Sequence, residues 1–233
     1  MSLLGSISQF LKTFSRFYRV SFWGEKQNPR TRKELKRMDD HKLMQLYAEK
    51  NNCQAFEILL QRYKSQVFGY LVNACRNKSR AEDLFQEVFL RIIRSSRDYK
   101  AKASFRTWIF TISRNLVIDE FRRQNNKPLL TTLAQENSET GEVTESAYPD
   151  NKPTADTELE AREIRYVIEE TLKELPEEQR EIFLLRESAG LSYKEAARVA
   201  NCSVNTVKSR MRYAILKIKE NLEIAGLVKK EVK

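Results

Sequence analysis

"LSYKEAARVANCSVNTVKSRMRYAILKIKENL", residues 191–222, holds two helix signatures either side of one tight bend. Ser192 precedes an apolar-periodic run with Glu195 three positions on, the hydroxyl and carboxylate of a capping box. Asn201 stands at the bend, where the chain needs a residue that tolerates the left-handed region, and Ser203 caps the helix that follows. Ala197 is small enough for the two helices to approach closely, and Val204, Val207, Met211, Ile215 and Ile218 are the expected buried stripe of the second helix. This is helix-turn-helix anatomy. With the stripe turned inwards, Asn205, Thr206, Ser209, Arg212 and Tyr213 point outwards and Lys208 and Arg210 lie at the flanks. The N-terminal part of such a helix enters the major groove, where Asn and Arg make bidentate base contacts and flanking cations neutralise phosphates. A two-helix core unit with a merely solvated basic face is the competing reading. The joint match of caps, small residue, bend and basic outer surface favours duplex DNA.

The rest of the chain fits that direction. Its 233 residues exceed one typical domain, and 42 Lys plus Arg against 32 Asp plus Glu give a formal charge of +10. That sign suits nucleic acid, an anionic membrane surface or an acidic protein. Cys53, Cys75 and Cys202 have no CxxC spacing and His41 is the single histidine, so neither a disulfide framework nor a Cys/His zinc site is expected, nor any cofactor. A reducing cytoplasm is the expected location. No run of 18 apolar residues suggests a membrane span. Six Gly, five Pro and few alternating Val-rich stretches indicate an all-α protein.

Four segments are expected. Residues 1–37 form a basic extension in which Leu3, Leu4, Ile7, Leu11 and Phe14 recur at helical spacing beside Lys12, Arg16 and Arg19, an amphipathic helix able to rest on a membrane surface or dock on a partner. A loosely tied terminus preceding a second start at Met38 is the alternative. Residues 38–123 carry a continuous series of helical patterns. Residues 124–160 are rich in Asn, Ser, Thr, Pro and acids, with Lys127 and Lys152 against eight carboxylates, and read as a flexible acidic linker of net charge −6. Helical pattern resumes at Ala161 and makes a small four-helix unit around the helix-turn-helix.

Two stretches of the second segment add surfaces of their own. In "AEDLFQEVFLRI", residues 81–92, Leu84, Phe85, Val88, Phe89 and Ile92 share an apolar band, while Asp83, Gln86 and Glu87 lie opposite. In "SFRTWIFTISRNLVIDEFRR", residues 104–123, a core stripe of Phe105, Ile109, Ile112 and Leu116 adjoins a second stripe of Trp108, Thr111, Asn115 and Arg122. An aromatic at helical spacing is usually core. Here it stands with amide, hydroxyl and guanidinium groups, a mixture able to stack on unpaired bases and hold phosphates. The preceding "RSSRDYKAKAS", residues 94–104, is a basic polar loop containing Tyr99.

Together, "AEDLFQEVFLRI", "FRTWIFTISRNLVIDEFRR", the linker, "LPEEQREIFLLRESAGLSYKEAA" and "NTVKSRMRYAILKIKENL" resemble, in order and spacing over about Met38 to Leu222, a bacterial sigma factor of the extracytoplasmic-function (ECF) group. The resemblance implies a first domain that binds the clamp helices of the largest RNA polymerase subunit and opens the −10 element, and a second that reads the −35 element. It implies that Asp83, Gln86 and Glu87 meet core RNA polymerase. It implies that Asn115 contacts a flipped −10 base, supported by Tyr99, Trp108, Arg122 and Arg123. It matches Lys208, Ser209, Arg210, Arg212 and Tyr213 to the −35 reading helix of promoter DNA. An anti-sigma factor, often membrane-bound, is an implied partner. Ala196 departs from a common isoleucine, which lightens the local core, and the extension before Met38 is the largest departure.

A stand-alone helix-turn-helix regulator is the rival, but it needs neither the Asp83, Gln86, Glu87 face nor the Trp108, Asn115 face. A metal-dependent nuclease using Asp39, Asp40, Glu82 and Asp83 is disfavoured, because no nucleophile-base pair or phosphate-binding glycine loop accompanies these acids. The protein is therefore expected not to be an enzyme.

Overall fold

The computed structural model describes residues 32–100, 103–125 and 155–228. Among these residues the chain forms nine α-helices, one 3-10 turn and no strand: α1 (Arg32–Arg37), α2 (Asp40–Lys50), α3 (Cys53–Cys75), α4 (Lys78–Arg94), a 3-10 turn (Ser96–Asp98), α5 (Phe105–Asn125), α6 (Ala155–Glu174), α7 (Glu177–Glu187), α8 (Tyr193–Ala200) and α9 (Val204–Ile224). The all-α expectation holds. Two compact units are present, Met1–Arg37 and Met38–Lys233. The amphipathic pattern of residues 1–31, the centre of the linker, residues 126–154, and Ala101 and Lys102 of the basic loop lie outside the described residues.

Short polar side chains punctuate the second unit. Asp39, Asn52 and Asn77 each sit in extended backbone and accept a hydrogen bond from the backbone N–H three residues on, at 2.8, 3.0 and 3.0 Å, so each starts a helix by satisfying one orphan donor. Asn51 closes α2 at φ 48°, so the Asn51-Asn52 pair ends one helix and opens the next. Arg76 ends α3 with a left-handed φ of 53°, a conformation that costs a non-glycine residue about 1 kcal/mol. Its guanidinium recovers bonds by donating to the carbonyls of Leu172 and Lys173 at the C-terminal end of α6, where a cation is favoured.

The first core gathers around α3. Phe56, Ile58, Leu59, Val67, Tyr70 and Leu71 are buried on it, and Phe85, Val88, Phe89 and Ile92 of α4 pack against them. The Phe85 and Phe89 rings lie 4.9 Å apart and Phe56 meets Phe89 edge-on at 6.5 Å, geometry that aromatic quadrupoles favour. The band expected in residues 81–92 is therefore core, except that Leu84 stays half-exposed while Ala81 is buried. On α5, Phe105, Ile109 and Leu116 are buried as expected and Ile112 is half-exposed; Phe110 and Val117 complete the buried face.

Two boundaries differ from the sequence reading. Helix α5 continues to Asn125 and α6 begins at Ala155, ahead of Ala161. The sequence Thr157-Glu158-Leu159-Glu160 lacks an apolar stripe, yet glutamate is a good helix former and Glu158 suits the positive end of the helix. In α9 the buried residues are Val207, Met211, Ala214 and Ile218, whereas Ile215 is 47% exposed and Val204 half-exposed. Spacings of 4, 3 and 4 residues keep one stripe facing inwards, and alanine takes the place where α9 needs little side-chain volume.

Candidate nucleic-acid interface

The helix-turn-helix is built as its residues dictate. Ser192 Oγ accepts from the Glu195 N–H, the Glu195 carboxylate accepts from the Ser192 N–H at 3.0 Å, and Asn201 turns the chain at φ 52°. Ser203 Oγ accepts from the Thr206 N–H at 3.0 Å. Helix α9 then exposes Asn205, Lys208, Ser209, Arg212 and Tyr213, the last at 59%. Thr206 is half-exposed, its hydroxyl 2.8 Å from Ser203 Oγ, and Ser209 Oγ donates to the Thr206 carbonyl. Arg210 is placed differently from its neighbours: its guanidinium pairs with Glu178 of α7 and only 22% of the side chain is exposed, so it ties α9 to α7. Two cations were not singled out in the sequence, Lys194 and Arg198 of α8. Both are exposed and line a shallow concavity with Asn201 and Cys202 at the bend. Their i, i+4 spacing opposite Ala196, Ala197 and Ala200 is the signal that could have found them.

The α5 surface has an aromatic floor. Ser104 starts the helix by accepting from the Thr107 N–H at 3.1 Å. Trp108 is half-buried, its ring 4.8 Å from that of Tyr99 and 5.8 Å from that of Phe105. Asn115 lies about two turns further on and is exposed, as are Arg122 and Arg123. Arg123 and Arg80 both pair with the buried Glu120, which anchors the basic end of α5 to α4. The phenol of Tyr99 is pushed up to about 12, chiefly by burial and then by the charges of Asp40 and Asp39, so it stays a neutral hydrogen-bonding group.

On α4, Asp83 and Gln86 are exposed, while Glu87 accepts from Arg91 Nε at 3.1 Å and lies 3.6 Å from Arg94. The acidic face is thus partly internally paired. Two other acids weighed for metal chemistry have structural roles: Asp39 caps α2, and Asp40 holds Arg62 and Tyr63 of α3. Among the described residues no three His, Cys, Asp or Glu side chains are placed to share a metal ion.

A set of contacts with no counterpart in sequence spacing joins α5 to α7 and α8. Ser104 Oγ donates to Glu195 Oε1 at 2.7 Å and Thr107 Oγ1 does so at 3.3 Å; Arg106 donates to the Gly190 carbonyl at 3.1 Å. Arg114 grips Glu181 through two nitrogens at 2.5 and 3.4 Å. Burial opposes ionisation of Glu195, but the hydrogen bonds from Ser104, Ser192 and Thr107 outweigh it and hold its carboxyl below the ordinary range. The side of α5 that carries Thr107 and Arg114 therefore lies on α7 and α8, beside the stripe of Trp108 and Asn115.

Two family models match the described helices. Residues 59–127 match the family model of sigma-70 region 2, and residues 165–218 match that of sigma-70 region 4. The ECF RNA polymerase sigma-E factor of Escherichia coli (strain K12) is 30% identical over 167 residues, 70% of this chain and 84% of the relative. The probable RNA polymerase sigma-C factor of Mycobacterium bovis is 32% identical over 171 residues, 72% and 84% of the two chains. Among solved structures, CnrH in complex with the cytosolic domain of CnrY aligns with a TM-score of 0.56 at 23% identity, covering 79% of this chain and 97% of that one. The sigma factor RpoE in complex with the anti-sigma factor NepR from Bartonella quintana aligns at 0.53 and 21% identity, covering 72% and 97%. The chain belongs to the ECF group of RNA polymerase sigma factors. Among the described residues no helix is long and apolar enough to cross a membrane.

Proposed function

We propose that this sigma factor reads the −35 element through α9 and opens the −10 element on α5, while the Asp83, Gln86 and Glu87 face of α4 docks on basic groups of core RNA polymerase. One observation carries the reading: the exposed Asn205, Lys208, Ser209, Arg212 and Tyr213 form one DNA-sized surface, and the Tyr99, Trp108 and Asn115 surface, chemically suited to unpaired bases, forms another. A regulator of duplex DNA has no use for the second. Arg122 and Arg123 would hold phosphates beside the opened strand, and Lys194 and Arg198 would do so beside the −35 duplex. Arg210 contributes by fixing α9 on α7.

No bond chemistry is required of the protein. Capture of an extruded base offsets part of an unstacking cost of a few kcal/mol, so opening proceeds on binding energy. The two elements lie about 25 base pairs, or about 85 Å, apart along duplex DNA at 3.4 Å per step. Packed helices stand only about 10 Å apart, so α5 and α8 must separate before both surfaces engage one promoter. An anti-sigma protein would act by holding the packed form, in line with the structural neighbour RpoE, solved in complex with the anti-sigma factor NepR. Run-off transcription tests the proposal on DNA fragments recovered with the tagged protein from cells. Purified core polymerase should gain a fragment-specific start when the protein is added. Absence of any such start would defeat the reading, and DNA binding without a start would support the stand-alone regulator.

A further inference from the structure

Tyr99, Trp108 and the chain's single histidine form a connected array. Tyr99 Oη lies 2.5 Å from His41 Nδ1, the two rings stack at 5.9 Å and 29°, and the Tyr99 ring also meets Trp108 at 4.8 Å. His41 is the second residue of α2, and its position is set by its neighbour. Asp40 pairs with Arg62 and accepts from the Tyr63 hydroxyl, while Arg62 also donates to the Met38 carbonyl at 2.8 Å. Tyr63 in turn lies 5.3 Å from Phe105. Helix α2 is thus fastened to α3 one residue before the histidine that holds Tyr99.

We infer that His41 is a positioning residue for DNA opening: it fixes the Tyr99 ring, and through it the Trp108 face, in the orientation that receives an unstacked base. This rests on the assignment of Tyr99 and Trp108 to the −10 strand. The physical ground is the loop itself. Tyr99 follows a 3-10 turn of three residues and precedes a polar connection to α5, and among the described residues its backbone makes one bond, from its N–H to the Ser96 carbonyl at 3.2 Å. A ring on such a segment is ordered mainly by its side-chain contacts, and ordering it beforehand removes a cost that base capture would otherwise bear. Asp39 and Asp40 are the carboxylates acting on Tyr99, and both are engaged elsewhere, in the α2 cap and in the Arg62 and Tyr63 contacts. His41 is left as the hydrogen-bond partner of the phenol.

The test uses reconstituted holoenzyme and the fragment giving the strongest start in run-off transcription. Wild type, His41→Ala, His41→Asn, Tyr99→Phe and the His41→Ala/Tyr99→Phe double variant are compared. Opening is followed by permanganate reactivity of thymines, closed-complex formation by low-temperature gel shift, and core affinity by titration. One lost hydrogen bond predicts that His41→Ala slows opening about threefold to tenfold, with closed-complex and core affinities within twofold of wild type. The double variant should be no slower than the slower single, and His41→Asn, whose amide still bonds to the phenol, should recover most of the rate. Unchanged opening in His41→Ala overturns the proposal, as do multiplicative effects in the double variant. So does loss of core affinity parallel to the loss of opening in both His41 variants, which marks a packing residue. Failure of wild type to open the fragment would instead strike the parent assignment.

Discussion

Replacing Glu181 by alanine removes one half of the ion pair that fastens α5 to α7. Arg114 and Glu181 each keep 19% of their side-chain surface exposed and meet through two contacts, at 2.5 and 3.4 Å. Exposed pairs contribute up to about 1 kcal/mol, and breaking a fully buried pair costs about 3–5 kcal/mol because a charge is stranded. A pair one-fifth exposed falls between, so Glu181→Ala should weaken the packed arrangement by about 2 kcal/mol, roughly thirtyfold in its equilibrium with a separated form. The neighbouring hydrogen bonds to Glu195 and Gly190 remain, which keeps the effect from being total. Small-angle scattering on the full chain should show a larger radius of gyration than wild type at equal concentration. Fragment binding by α9 should become easier as α8 leaves α5. The Arg114→Met/Glu181→Leu double variant strands no charge and should stay compact. An Ala variant as compact as wild type, with the same affinity for DNA, would refute the idea that this pair governs separation.

Four further outcomes follow from the same geometry. Arg212→Ala should cost about 1–3 kcal/mol in fragment binding and leave core affinity intact, whereas Asp83→Ala should do the reverse, as read by gel shift and by titration against core polymerase. Asn201→Ala should lower the stability read by chemical denaturation by about 1 kcal/mol because an L side chain without Asn's tolerance must hold φ 52°, while Asn201→Gly should be near neutral. Phe89→Ala, which empties a site enclosed by Phe56 and Phe85, should destabilise by about 3–5 kcal/mol in chemical denaturation. Because the Glu195 carboxyl is held below its ordinary 4.5, its contribution to the α5 to α8 contact is complete above that pH and is lost as the pH falls through its lowered value. Scattering below pH 4.5 should therefore show expansion that Glu195→Gln removes.

What could be read from the sequence was local, and what could not was tertiary. Ser192, Asn201 and Ser203 occupy their cap and turn positions because capping chemistry acts over three residues, a distance visible in the chain itself. Phe85, Val88, Phe89 and Ile92 are buried for an equally local reason, the helical period. Ile215 misled because its hydrophobicity outweighed the better-phased but smaller Ala214, and burial follows phase when both are present. Arg210 looked like its exposed neighbours Ser209 and Arg212, yet Glu178 lies 32 residues away in sequence and no spacing rule announces the pair. The same holds for His41 with Tyr99, 58 residues apart, and for Ser104 with Glu195, 91 apart. At the linker's end, helix propensity without an apolar stripe concealed the start of α6.

The two oxygens of Glu195 divide their duties. Oε2 belongs to the serine at the head of its own helix, and Oε1 to the hydroxyls of α5. In the proposed separation of α8 from α5, water would take over at Oε1 while the grip of Oε2 persists, so the helix-turn-helix would travel with its framework whole. Detachment then resembles unhooking a finished part more than melting one.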